Sequence, residues 1–270
     1  MRKSIGGVVR MAAAVAAALG SVSASAIPVQ WTDWESSSAS NGYTAQGTIQ
    51  SGTEVVGVTY NNPRGVAFDQ LNGGRDYWQN ARSGRNPATS PYTSPELANG
   101  VDNIPDGTDI IALRFAGMQT LSFSQTIANP FFAYVSLNGN GYAFDQDFEL
   151  LSVGGVDGND CGYWGCGTSR KEIVDLGNGV FEYQLLGTGE PHGTLRFTGA
   201  FDSVSWRSLS NEYWNGFTVG IEGTQAQVFP CEVDPTLPQC NPGTAVPAPA
   251  TLLLMGLGLA GLGFTRQKLK

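Results

Sequence analysis

The sequence predicts an all-β protein, a two-sheet β-sandwich of jelly-roll type, and three observations lead there. Charged residues make up only 14% of the 270-residue chain, against about 25% in an average soluble domain. Glycine is abundant, at 36 residues, while hydrophobic residues stand at 41%, enough for a proper core and too many for a disordered chain. Short β-patterned runs alternate with dipeptides that tolerate the positive φ angles of tight turns: Asn72-Gly73, Asn99-Gly100, Asp106-Gly107, Asn138-Gly139, Asp157-Gly158, Asn178-Gly179 and Asn215-Gly216. No amphipathic helical stretch of useful length lies between them, and no fixed-period repeat suggests a propeller or solenoid.

The chain opens on Met1-Arg2-Lys3 and Arg10, runs through nine apolar residues at 11–19, and reaches Ser23-Ala24-Ser25-Ala26. A basic start, a short apolar stretch and an Ala-x-Ala site make a secretory signal peptide over 1–26, cut between Ala26 and Ile27. As a helix the apolar run would rise only about 14 Å, half of a hydrocarbon core of about 30 Å, so an anchor is not expected there. The remaining body is strongly acidic. Between residues 27 and 245 stand nine basic and 23 acidic side chains, a net charge of −14, which repels phosphate backbones and argues against nucleic acid as a partner.

Within a single domain at 27–228, strands are expected at 54–60, 109–115, 120–124, 131–137, 142–153, 180–186, 193–198, 203–207 and 217–222. In the 203–207 run, Trp206 shares its phase with Val204 and so faces the core. The stretch 61–107, rich in Asn, Gly, Ser, Pro and Arg, reads as a long surface excursion. Loops of that length are uncommon unless functional or disordered. Residues 229–245, with Cys231, Cys240 and several prolines, read as a stalk. The four cysteines fall as two local pairs, Cys161 with Cys166 and Cys231 with Cys240. In an exported chain an even count reads as disulfides, although three connectivities are open. The spacings and the single distant His192 fit no common zinc pattern.

From 250 to 264 come 15 uncharged, mainly apolar residues, then Arg266, Lys268 and Lys270. A short membrane helix over this span would reach about 22 Å, with the basic tail on the cytoplasmic side and the body across the membrane. Val246-Pro247-Ala248-Pro249, the Leu/Gly run after it and the basic end resemble the PEP-CTERM sorting signal over 246–270. Ala248 stands where that family carries Glu. Such segments are also labelled an ice-binding-protein C-terminal domain, a label that licenses no inference of ice binding. The resemblance implies a Gram-negative source, an exosortase-type sorting protease as partner, a chain held at least transiently by the membrane and then found at the cell surface or outside, and an association with exopolysaccharide. It implies nothing about the body's chemistry.

Catalytic signatures are sparse, and the sequence leans away from an enzyme. His192, in Gly189-Glu190-Pro191-His192-Gly193, is the only possible triad histidine and reads as a surface turn residue. No Gly-x-Ser-x-Gly elbow and no phosphate-cradling loop is present. Alternation along 144–150 places Asp145, Asp147 and Glu149 on one strand face, either a solvated face or the acidic groove of a glycoside hydrolase or lyase. No cofactor is expected. Calcium is the one candidate ion, at the acidic turns Asp157-Gly158-Asn159-Asp160 and Asp102-Asn103-Ile104-Pro105-Asp106, neither of which has the spaced ligands of a calcium loop. Aromatic placement is the most suggestive feature. Three Tyr-Trp pairs, Tyr77-Trp78, Tyr163-Trp164 and Tyr213-Trp214, fall in expected loops. Flat rings that stack on sugars, beside amides and carboxylates that bind hydroxyls, make the ingredients of a polysaccharide-binding surface; plugs for the sandwich ends would use the same residues. The expected function is therefore an exported surface or matrix protein that binds polysaccharide without transforming it. The hydrolase and a ligand-free matrix filler are the alternatives.

Overall fold

The computed structural model describes residues 26–80, 84–152 and 161–241. The signal peptide up to residue 25, the acidic turn at 157–160, the sorting motif Val246–Pro249 and the expected membrane helix lie outside the described residues. Two antiparallel sheets pack as a sandwich. The first strands are β1 (Gln30–Trp31), β2 (Asp33–Ser38), β3 (Tyr43–Ser51), β4 (Glu54–Asn62) and β5 (Phe68–Gln70). After a long connection come β6 (Ile110–Leu113), β7 (Gly117–Ala128), β8 (Phe131–Val135), β9 (Gly141–Phe144) and β10 (Glu149–Ser152). The remainder are β11 (Gly167–Gly177), β12 (Val180–Gly189), β13 (Gly193–Arg196), β14 (Ala200–Ser208), β15 (Asn215–Ile221) and β16 (Gly223–Thr224). The seven-stranded sheet runs β10-β13-β8-β15-β6-β5 with β1 on β15, and the nine-stranded sheet runs β11-β12-β9-β14-β7-β4-β3-β2 with β16 on β7. From β8 to β16 the chain crosses repeatedly between the two sheets.

The main core lies between the sheets, with Tyr60, Phe132, Tyr142, Phe144, Trp206 and Phe217 at its centre. Phe132 and Phe217 stack at 4.9 Å, and Trp206 meets Phe217 edge-on at 5.2 Å, geometries that add to simple area burial. Trp206 sits where its strand phase placed it. A second cluster forms on the outer face of the smaller sheet, and β8 serves both. Phe132 and Tyr134 enter the main core, while Phe131, Ala133 and Val135 face outward into the second cluster. This is why all five residues are buried.

That outer cluster corrects the surface-excursion reading of 61–107. The segment carries Trp78, Tyr92, Val101 and Ile104 down onto the sheet, all buried. Arg85 clamps it with a bidentate ion pair to Asp76, at 2.6 and 3.0 Å, and a bond to the Pro105 carbonyl. Ile27 joins the same layer by a bridge to Val101. Trp78 donates its indole N–H to the Asp109 carbonyl at 3.1 Å and is inaccessible, so it is not part of any exposed aromatic surface.

Three more expectations change. The run 142–153 is two strands in different sheets, because residues 145–148 cross from β9 to β10. Asp145, Asp147 and Glu149 therefore share no face. Lys171 pairs with Asp147, and Arg196 with Glu149 at 2.6 Å, so these residues form neither one solvated face nor the alternative acidic groove. Asn215-Gly216 is the start of β15 instead of a turn. Gly216 is demanded by packing, since a Cβ there would stand 2.4 Å from the Ile110 side chain. Asn178-Gly179, by contrast, turns β11 into β12 with both φ positive, at 55° and 77°. At the end of the described chain, Gln225–Val228 and Pro230–Val233 form single helical turns, the first tied to β3 through Gln227 and Ser51 at 2.6 Å. No helix among the described residues is long and apolar enough to cross a membrane.

Candidate functional site

One end of the sandwich gathers four segments that are distant in the chain. They are the residues just past β8, the turn between β12 and β13, the connection from β14 to β15, and the loop before β11 that Cys161 and Cys166 close as a disulfide. The second disulfide, Cys231 with Cys240, lies in the segment after the last strand. Pairing is thus local in both cases.

Each segment is held by its own bonds. In the disulfide loop the Gly162 N–H donates to the Gly165 carbonyl at 2.9 Å, and the Glu190 N–H reaches the Cys166 carbonyl at 3.1 Å. Gly162 lies directly on the His192 ring, leaving no room for a Cβ. His192 is buried beneath, hydrogen-bonded through Nδ1 to the Tyr92 hydroxyl at 2.9 Å, which corrects its reading as a surface residue. Burial alone pushes its pKa down to about 3, so the ring stays neutral near physiological pH. Asn140 pins the β14–β15 connection by accepting from the Ser210 N–H and hydroxyl, both at 2.9 Å. Ser136 holds a positive φ of 56°, an unusual conformation for a non-glycine residue, and donates its hydroxyl to Glu190.

These segments enclose a cleft of about 330 Å³ lined by Ser136, Asn138, Trp164, Glu190, Glu212, Tyr213 and Trp214. Five of the six aromatic residues singled out in the sequence meet at or beside it. Tyr77 stacks near Trp164 at 6.1 Å and meets Trp214 edge-on at 5.1 Å. Tyr163 packs edge-on to Trp164 at 5.0 Å and to Tyr77 at 5.1 Å, with Arg75 donating to its hydroxyl at 2.5 Å. Trp214 lies 6.0 Å from Trp164 and is backed by Phe68 at 5.1 Å. Tyr213 projects into solvent, 84% exposed, and Trp164 is 39% exposed. Trp78 stands apart, and Tyr163, only 7% exposed, is buried behind the cleft instead of forming an accessible binding ring.

Two carboxylates complete the cleft, and neither was singled out in the sequence. Asn138 bridges them: its side-chain amide donates to Glu190 at 2.7 Å and its backbone N–H to Glu212 at 3.0 Å. Glu212 also accepts from the Asn215 amide at 2.7 Å. Burial, with a smaller push from the Glu190 charge, raises the Glu212 carboxyl to about 7. The sequence signal was adjacency: Glu190 sits two residues before His192, and Glu212 two before Trp214. As for metals, no group of three or more His, Cys, Asp or Glu gathers among the described residues. In the 102–106 turn, Asn103 is engaged in paired bonds with the Val29 backbone at 2.7 and 2.9 Å.

Residues 245–267 match the PEP-CTERM protein-sorting motif. The chain thus carries the sorting signal of exported proteins that an exosortase processes and sorts to the cell surface. Comparison of the chain with curated proteins and with solved structures returns no match. The match is confined to the C-terminal segment and assigns nothing to the sandwich.

Proposed function

We propose that this is a surface or matrix protein of a Gram-negative bacterium that binds polysaccharide in the cleft at the end of its sandwich. In this reading residues 1–26 are removed, the sandwich, of jelly-roll type, is the binding module, and the segment from 229 onward links it to a C-terminal membrane helix. The observation that carries the reading is the convergence of Trp164, Tyr213 and Trp214 on one concave surface with Asn138, Glu190 and Glu212, backed by Tyr77 and the buried Tyr163. Aromatic rings give flat apolar faces for sugar rings, and the polar groups at their margin satisfy hydroxyls.

One observation favours a second reading. Glu212 keeps its proton near neutral pH beside another carboxylate, the pairing a glycoside hydrolase uses for acid and base. The same experiment separates the two. Full-length exported protein is incubated with a panel of polysaccharides while both retention and release of reducing ends are followed. Retention without release is expected. Release that Glu212→Gln abolishes selects the hydrolase, and neither retention nor release leaves the matrix filler. Trp164→Ala and Tyr213→Ala each lower retention about tenfold, the loss of about 1.4 kcal/mol, with unchanged circular dichroism. Unchanged retention in both, and in Trp214→Ala, sinks the aromatic cleft.

A further inference from the structure

We infer that the glycan this cleft takes is cationic, a polysaccharide whose amino sugars carry free ammonium groups, with the ammonium set against the Glu190–Glu212 pair. The inference rests on the glycan-binding reading above and narrows its ligand. Its first support is charge. The cleft lining holds two carboxylates, an amide, a hydroxyl and three aromatic rings, and no Lys, Arg or His stands among the described residues that line it. Glu190 and Glu212, bridged by Asn138 and partly buried, have no Arg or Lys partner among the described residues, so an ammonium set between them supplies the missing counter-charge and draws the proton off Glu212. Until then burial, with a smaller push from the Glu190 charge, holds that proton near neutrality.

The second support is the walls. Aromatic faces attract an ammonium as well as a sugar ring, so Trp164, Tyr213 and Trp214 serve both parts of an amino sugar. A uronate or sulfated glycan would bring anions to two carboxylates in a body of net charge −14. A bare divalent ion fits poorly, since two carboxylates fall short of the six to eight oxygens that calcium takes. At about 330 Å³ the cleft is at the small end of ligand sites, about 300–1,000 Å³, suited to a short stretch of glycan.

The test is calorimetric titration of the full-length protein at pH 6 with oligosaccharides of equal length: glucosamine, N-acetylglucosamine, glucose and a uronate. The glucosamine oligomer is expected to bind at least tenfold more tightly than the acetylated and neutral ones, and the uronate not at all. Glu190→Gln should erase most of that preference, and Glu212→Gln, whose carboxyl mostly holds its proton at pH 6, a smaller part of it, both leaving the neutral oligomer's affinity within twofold. Glu96→Gln, which removes one charge outside the cleft, should alter neither. Equal affinity for the free-amine and acetylated oligomers, still lost in Trp164→Ala, overturns the inference and leaves the glycan site standing. No binding of any oligomer overturns both. A preference that survives both Gln variants, or that Glu96→Gln weakens as much as they do, is bulk attraction to an acidic surface and also overturns it.

Discussion

A Cβ on Gly162 would stand 2.4 Å from both Cγ and Nδ1 of His192, and that ring is fully buried against Tyr92, so it has nowhere to go. Gly162→Ala must therefore lift the disulfide loop, and with it Trp164. Overpacking of this kind costs about 1–3 kcal/mol. Urea denaturation should show that loss, and retention on polysaccharide should fall with it. A variant of full stability would mean that the loop is free to ride over the histidine. Single residues also show where the sequence was readable. The Tyr-Trp pairs were conspicuous because large rings in polar, glycine-rich stretches have no local reason to be there, and five of the six rings do converge. Trp78 looked identical in sequence, yet it is buried because the segment around it folds down onto the smaller sheet, a tertiary event that local pattern does not encode. Trp78→Ala is accordingly expected to cost about 3–5 kcal/mol of stability, where Tyr213→Ala costs almost none. Glu190 and Glu212 escaped notice for a different reason: lone glutamates in turns are common, and only their shared contact with Asn138 makes them a pair.

At the scale of elements, expected strands were found where one face is apolar, as in β4, β12 and β15, and missed where burial is slight or polar residues dominate. β11 is the clearest case. It forms the edge of the larger sheet, carries Arg170, Lys171, Glu172 and Asp175, and buries little beyond Ser169. Its charges protect an open edge from pairing with another chain, and they also erase the alternation that would have announced a strand. β3 was hidden for another reason: its buried face is Tyr43, Ala45, Gly47, Ile49 and Ser51, where small residues interrupt the apolar alternation. The 142–153 run misled because its alternation continues through residues that leave one sheet for the other. The two disulfides divide by position. Closing loops of these lengths stabilises by about 2–3 kcal/mol each on the chain-entropy account. Replacing Cys161 and Cys166 together by Ser should lower stability by about 2 kcal/mol and reduce glycan retention, since the loop presents Trp164 to the cleft. The same change at Cys231 and Cys240 should lower stability without touching retention. Equal retention losses from both would show that the cleft depends on global stability and not on its own loop.

For the whole molecule, three buried or half-buried groups give stability a pH dependence with opposing limbs. His192 has its pKa depressed by burial from 6.5 to about 3. Between those values the unfolded chain takes up a proton that the folded one refuses, so stability falls on acidification by about 1.4 kcal/mol per pH unit. Glu212 and Asp109 run the other way. Burial raises them from 4.5 to about 7 and from 3.8 to about 6, so the folded form holds its protons longer and stability falls as pH rises through those ranges. Both carboxyls remain partly solvated, which makes their limbs shallower than that of the sealed histidine. Between about pH 4.5 and 6.5 the limbs oppose one another and the profile is nearly flat. Below about pH 3.5 both carboxyls are largely protonated in both states, and the decline is driven by His192, together with Glu182, where desolvation is outweighed by hydrogen bonds from Gln184 and Arg207 that lower the carboxyl. Urea midpoints across pH 3–8 measure the curve. His192→Phe should remove most of the acid decline, and Glu212→Gln should turn the flat stretch between about pH 4.5 and 6.5 into one where stability rises with pH. An acid limb that persists undiminished in His192→Phe would assign it to the general charging of an acidic protein, and would mean that the ring under the Cys161–Cys166 loop is less sealed than its packing against Gly162 requires.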